Sequence, residues 1–397
     1  MSAFHPRRFS RPEVIRRIAP DHLLQFLDPY REYLLSRGVR LPAAAPLGRF
    51  DYEGLCQVLL HPDNHTPREM IEALFFINEM SKPEGFDALQ DALVDAGLEV
   101  EIGEEVTSAD LAVQVWLKAP ALLERLHAEQ LLFHPRSFEY FRTSHSPIPP
   151  FRVPDAVAIQ ALENALDDWF AMKRRGRCSR VFVFVKPDNV WFLVRHGEPF
   201  TRESAIQEGK STCVFFRPER HDVLVYNPIH GEMRIHARSK GEKELYRKQF
   251  GAHLFGDPNY FDASGRFSFE QLQKHGADAL VCSDIEGMEW VRLKKVRFFR
   301  GGEFVENEVL EAEDIFAAMA RRKAPFPINI TITRCKFEIQ FSDSRTPRMV
   351  TISSKSKVEF RRDDDAGILE EWMRRRGFIV FEEKDAHGKG FVDVAQN

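Results

Sequence analysis

The chain has 397 residues, with 56 Lys and Arg against 60 Asp and Glu and a formal net charge of -4 at pH 7. Hydrophobic residues make up 43% and charged residues 29%, which excludes collagen-like, coiled-coil and disordered readings for the bulk of the chain. The charge balance also excludes a chain-wide polybasic binder of nucleic acid or membrane, so any electrostatic surface must be local.

From Pro20 to about Leu132 apolar residues recur at helical spacing. Asp21 is expected to cap a helix carrying Leu23, Leu24, Leu27, Leu34 and Leu35, which stops at Gly38 and kinks near Pro29. Thr66-Pro67-Arg68-Glu69 has the form of a capping box with proline at the first helical position. Thr107-Ser108-Ala109-Asp110 repeats this logic ahead of Leu111, Val115 and Trp116. Two starts 41 residues apart fit either helical hairpins of the solenoid kind or a plain bundle. Residues 1–130 hold 13 basic and 21 acidic residues, so a helical domain over 1–135 is expected to meet a protein partner and not phosphates. Residues 136–153, which include Ser144-His145-Ser146-Pro147-Ile148-Pro149-Pro150, have the composition of a proline-rich linker.

A sheet domain is expected over 154–327. It opens with a helix over 154–172 and a basic run, then strands at 181–185 and 190–194 that are apolar on both faces and so buried on both. Further strands are expected at 213–217 and 222–226, and at 232–237, where Glu232, Arg234 and His236 alternate with Met233, Ile235 and Ala237. Helices follow over 242–251 and from a Ser268 cap to Gly276, then strands at 279–282 and 288–299 and a helix over 311–323. From 328 to 397, a hairpin (330–341 and 349–353) and a helix starting at Asp363-Asp364-Asp365 and ending at Arg374-Arg375-Arg376 are expected to form a ββα module, either a relative of the winged helix or a packing cap on the sheet. The expected class is α+β: an all-helical N-terminal domain, a mixed-sheet body with flanking helices, and this module. The phenylalanines support the division, because 27 of the 34 follow residue 130.

Two strings carry chemistry. Phe192-Leu193-Val194-Arg195-His196-Gly197-Glu198 resembles the signature of the histidine phosphatase and phosphoglycerate mutase superfamily, in which a strand runs into Arg-His-Gly. The resemblance implies that His196 attacks phosphorus and Arg195 binds the phosphate, with His275 as the second histidine. Asp222 with Glu232-Met233-Arg234 resembles metal-dependent nucleases of the restriction-endonuclease type, where two carboxylates on neighbouring strands hold a divalent cation. Arg234 stands where that family has lysine, and an arginine does not give up its proton.

Other sites are not signalled. His61 and His65 are separated by Pro62 and form no metal pair, and the five cysteines (Cys56, Cys178, Cys213, Cys282, Cys335) lie far apart, as suits a reducing cytoplasm. No GxxxxGK[ST], GxGxxG or Gly-x-Ser-x-Gly string occurs, so no cofactor is expected. No signal peptide and no membrane contact are expected either.

The remaining signal is basic and falls in three groups. The first is Lys173, Arg174, Arg175, Arg177 and Arg180; the second is Arg292, Lys294, Lys295, Arg297 and Arg300, beside Phe298 and Phe299. The third is Arg345, Arg348, Lys355, Lys357, Arg361 and Arg362. Converging on one face, they would supply phosphate contacts to DNA or RNA. The leading expectation is therefore a non-enzymatic cytoplasmic binding or regulatory protein of bacterial type, a subunit of a larger assembly. It would meet a protein through its acidic helical domain and nucleic acid through basic patches. The alternative is a phosphoester hydrolase acting through His196 or through a metal held by Asp222 and Glu232.

Overall fold

The computed structural model describes residues 6, 9, 11–43, 50–82, 85–100, 106–132, 135, 137–143, 145–207, 209–261, 263–354, 357–359 and 365–381. Ser144, Lys355 and the run from Arg361 to Asp364 lie outside the described residues. The chain divides into two compact units, Met1–Leu131 and Leu132–Asn397.

The first unit is helical: α1 (Pro12–Ile15), α2 (Pro20–Leu27), α3 (Arg31–Ser36), α4 (Tyr52–Leu60), α5 (Arg68–Met80), α6 (Phe86–Asp95), α7 (Ser108–Lys118) and α8 (Pro120–Leu131). Its core joins Leu23, Leu27, Leu55, Leu74, Ile77, Leu89, Leu111, Val115 and Leu123. The caps differ from expectation in instructive ways. Pro20, not Asp21, opens α2, because a proline needs no partner for an amide there. A 3-10 turn over Asp28–Tyr30, built around Pro29, divides the expected single helix into α2 and α3. Thr66 does not cap α5; its hydroxyl accepts from the Asp63 amide (2.8 Å) and bonds Tyr33 Oη (2.7 Å), and Pro67 takes the cap position. Thr107 does cap α7, accepting from the Asp110 amide. Asp110 itself is buried and accepts from the Ala19 amide (2.8 Å) and Gln114 Nε2 (2.9 Å), so one carboxylate ties the start of α2 to α7.

The second unit combines helices with antiparallel sheet, an α+β arrangement. In chain order its elements are β1 (Ser137–Arg142), α9 (Ala156–Met172), β2 (Arg180–Val185), β3 (Val190–Gly197), β4 (Thr201–Gln207), β5 (Lys210–Phe216), β6 (Glu219–Asn227) and β7 (Glu232–His236). There follow α10 (Lys240–Phe255), β8 (Ala263–Phe267), α11 (Glu270–His275), β9 (Met288–Gly301), β10 (Glu306–Glu311), α12 (Ile315–Arg322), β11 (Thr331–Phe341), β12 (Arg348–Ser353), β13 (Lys357–Glu359), α13 (Asp365–Arg375) and β14 (Ile379–Phe381). The main sheet runs β10-β9-β11-β12-β13-β1-β7-β6-β3-β2, with β8 beside β1 and β14 beside β8, while β4 and β5 pair separately. Every described pair is antiparallel where a mixed sheet was expected, and hairpins or short turns join half of the pairs.

β1 is the joint of this sheet. Ser137 and Phe138 pair with β13, and Glu139 to Arg142 pair with β7. It falls inside the stretch expected to be a linker, where the aromatics of Ser-Phe-Glu-Tyr-Phe-Arg favour a strand over a spacer. Phe151, at the end of that stretch, packs on Tyr226 and Phe255. The expected boundary at 327/328 also lies within one sheet, since β11 pairs with β9 along most of its length. Of the two expected forms of the ββα module, a part of the body's sheet fits this pairing, since β11, β12 and β13 continue it. The strand expected at 279–282 is instead the end of a 3-10 helix, Gly276–Leu280, entered by Gly276 at φ 59°.

Helices α9 and α10 cover one face of the β7-β6-β3-β2 half. Leu162, Leu166, Phe170, Leu245, Tyr246 and Phe250 pack there against Phe192, Val194, Leu224, Tyr226, Met233 and Ile235. Ser239 and Glu242 form the capping box that starts α10, and Gly256 at φ 73° ends it.

Candidate nucleic-acid interface

The Arg-His-Gly string is the end of β3: Arg195 pairs with both β2 and β6, and His196 and Gly197 pair with β6. Successive strand residues face opposite ways, so Arg195 and His196 cannot grip one phosphate. His196 is 1% exposed and stacks on Phe170, with ring centroids 4.2 Å apart. Its Nδ1 lies 3.1 Å from the Gly197 carbonyl oxygen and its Nε2 3.1 Å from Asp222 Oδ2. On the opposite face the Arg195 guanidinium lies over the Phe182 ring and 3.8 Å from Glu219. Gly197 has a packing reason, because a Cβ there would come within 2.6 Å of the Arg175 carbonyl oxygen. His275 is exposed at the end of α11, in surroundings unlike those of buried His196. These placements correct the phosphatase expectation: the described geometry gives a buried imidazole and not an accessible nucleophile.

The nuclease expectation is corrected by register. Leu224 pairs with Ile235, Tyr226 with Met233 and Asn227 with Glu232. Asp222 therefore shares its face with Leu224 and Tyr226, whereas Glu232 lies on the other face with Arg234. Five residues along β6, about 17 Å, also separate Asp222 from the partner of Glu232. One cation cannot bind both.

Each carboxylate has its own buried network. Glu232 pairs with Arg374 (3.0 Å), and Arg234 with Glu370, which also accepts from Tyr140 Oη (2.8 Å). Burial pushes the Glu232 carboxyl above its ordinary value against the opposing pull of Arg374, and burial with the Glu370 charge raises the Tyr140 hydroxyl well above its own. The Arg234 guanidinium lies 5.8 Å from the ring centroids of both Phe138 and Trp191, so it is packed as well as paired. On the other face Tyr246 Oη donates to Asp222 Oδ2 (2.7 Å), and Glu242 accepts from Arg175 and from the Ser239 amide (2.6 Å). Burial works to raise the Glu242 carboxyl, but these hydrogen bonds outweigh it and hold the group below its ordinary value. His196, Asp222 and Glu242, all buried, offer ligand atoms within 4.8 Å of one another, an arrangement able to hold a metal ion.

The three basic groups have different fates. In the first, Arg175 pairs with Glu242 and Glu198, Arg177 with Asp168 and Arg180 with Glu163. Lys173 lies over the Trp169 ring. This group borders β2, at the far end of the strand order from β9, roughly 40 Å away measured along the sheet at about 4.8 Å per strand. In the third, Arg345 is an exposed loop residue and Arg348 is buried on Asp343 (3.0 Å) and over Phe341. Lys357 lies in β13, and Lys355, Arg361 and Arg362 are outside the described residues.

The second group lies on an open sheet face. Leu293, Val296 and Phe298 of β9 and Cys335, Phe337 and Ile339 of β11 are buried. The residues that alternate with them, Arg292, Lys295, Arg297, Arg334 and Lys336, are exposed or half-buried. Register sets Lys295 opposite Lys336 and Arg297 opposite Arg334, with no shift between them. At the edge the charges alternate in sign: Lys295 also pairs with Glu311 of β10 (2.6 Å), and Arg300 with Glu308 (2.7 Å). A hydrogen bond from Lys295 holds the Glu311 carboxyl below its ordinary value. Lys294 lies 3.6 Å from Glu338. Phe298 is buried, Phe299 is 37% exposed, and the Arg292 guanidinium stacks 4.2 Å from the centroid of the Trp290 ring. A hollow of about 410 Å³ lined by Phe299, Arg300, Asn329 and Thr331 adjoins this row. The basic groups did not point to Arg334 and Lys336, although their alternation with Cys335 and Phe337 carries the signal.

No protein-family model matches the chain, and no curated protein matches it. No helix among the described residues is long and apolar enough to cross a membrane.

Proposed function

We propose that the chain is a binding protein that contacts the phosphate backbone of a nucleic acid through the open face of β9 and β11, while its acidic helical unit serves a protein partner. One observation carries this reading: Lys295 faces Lys336 and Arg297 faces Arg334 across two paired strands. Like charges directly opposite each other on a sheet destabilise it, so packing alone gives no reason for the arrangement. Glutamates balance part of this charge: Glu311 of β10 reaches Lys295, Glu308 reaches Arg300, and Glu338 of β11 lies beside Lys294.

The quartet is compact. Its rows lie about 7 Å apart along the strand and about 5 Å across, so the four cations can meet neighbouring phosphates of one strand. A phosphate backbone laid along them would relieve the repulsion and release counterions. Phe299 extends the row as an exposed ring on which a base can stack, and this combination suits a single strand better than a duplex groove.

The experiment is fluorescence anisotropy with labelled 20-nucleotide single strands of DNA and RNA, comparing the natural chain with the double variant Arg297→Glu, Lys336→Glu. The expected result is a loss of at least tenfold in affinity with the fold intact. Equal binding by the two proteins, or no binding by the natural chain, overturns the reading.

A further inference from the structure

We infer that His196, Asp222 and Glu242 form a site for one divalent transition-metal ion of the zinc type, which joins β3, β6 and α10 inside the second unit. This site is separate from the open face of β9 and β11 and rests on different observations. The three side chains come from three elements and are 1%, 2% and 0% exposed, with ligand atoms within 4.8 Å of one another.

The hydrogen-bond count points to an ion. The Gly197 carbonyl oxygen, 3.1 Å from Nδ1, and the Asp222 carboxylate, 3.1 Å from Nε2, both accept, whereas a neutral imidazole carries one N–H. With that proton on Nδ1, the Nε2 lone pair faces another acceptor, and the two need a proton or a cation between them. Metal-bound histidines characteristically donate their other N–H to a carbonyl or carboxylate, and Gly197 O stands in that place. The outer partners fit the same scheme: Tyr246 Oη orients Asp222, and Arg175 and the Ser239 amide orient Glu242, each carboxylate keeping lone pairs free for an ion.

Asp222 and Glu242 place two buried carboxylates beside the imidazole, and carboxylates and a neutral imidazole are donors for a divalent ion. One nitrogen and two carboxylate donors suit Zn²⁺, which binds N and O at about 2.0–2.2 Å in fourfold geometry. Ca²⁺, which takes about six to eight oxygens, does not fit. The stacked Phe170 ring closes one side of the site, and with three protein donors the fourth position falls to a water.

The test uses the full chain stripped with chelator, titrated with Zn²⁺ by calorimetry and with Co²⁺ by visible absorption. One ion per chain, an intense Co²⁺ band of the tetrahedral type and a higher melting temperature with Zn²⁺ are expected. His196→Gln should weaken Zn²⁺ binding at least 100-fold. Should that variant fail to fold, Tyr246→Phe, which removes only an outer partner, is expected to weaken it by about 10–100-fold. A stripped natural chain that stays folded and takes up no Zn²⁺ overturns the inference, as does Zn²⁺ affinity unchanged in either folded variant.

Discussion

The two halves of the main sheet use the same residue types in opposite ways. The β7-β6-β3-β2 half is buried on both faces: Phe192, Leu193 and Val194 are successive residues with no exposure, as are Leu224 and Val225. Its arginines are drawn into pairs, Arg234 with Glu370, Arg175 with Glu242 and Arg180 with Glu163. The β9-β11 half is covered on one face, and its other face sets cation opposite cation. The densest basic run in the sequence, 173–180, is thus largely spent on structure, while the sparser cations of β9 and β11 stand opposite one another on the open face. Local density of charge is a poor guide to binding; the coverage of the strand and the register decide.

That contrast can be broken most forcefully in the covered half. Arg234→Ala leaves the Glu370 carboxylate without its cationic partner and should lower stability by about 3–5 kcal/mol, measured by denaturant unfolding. A smaller effect concerns Glu232. Burial raises its native carboxyl above the ordinary 4.5, so the native state binds the proton more readily than the unfolded chain. Its contribution to stability is complete below the ordinary value and is lost as pH rises through the raised one. Glu232→Gln should remove that slope from the curve of stability against pH, and an unchanged slope would place the titration elsewhere.

In the open half the sign reverses. Arg297→Glu replaces a like pair with an opposite pair facing Arg334 and should raise stability by about 0.2–1 kcal/mol while weakening nucleic-acid binding. A variant that is more stable and binds less well is the signature of a face kept for a ligand. Glu311→Gln, which releases Lys295, should tighten binding. The smallest effect is expected from Arg177→Ala, whose exposed pair with Asp168 should change stability by less than about 0.5 kcal/mol and leave binding unaltered.

What the sequence made legible was local. The α+β class, α9, the doubly buried β3 and the Thr107 cap follow from alternation, helical spacing and short-range capping. The failures share a non-local cause. β1 was hidden by the proline-rich residues after it, because its reason to be a strand lies in β7 and β13, far along the chain. Alternation correctly put Glu232 and Arg234 on one face of β7, but the face of Asp222 depended on the four-residue turn 228–231, which fixes the pairing of Asn227 with Glu232. His196 was singled out, and Tyr246 and Glu242 were not, since only the packing of α10 on the sheet brings them to it. Lys336 and Arg334 enter the proposed face for the same reason: each takes its meaning from the residue across the strand.

The most direct measurement is the salt dependence of single-strand binding by the natural chain. With four phosphates neutralised by Lys295, Arg297, Arg334 and Lys336, a plot of log affinity against log salt should fall with a slope of about -3. The slope should shrink by roughly 1.4 when Arg297 and Lys336 are replaced by neutral residues. A slope near zero, or one that the replacement leaves unchanged, contradicts a phosphate-binding role for the open face of β9 and β11.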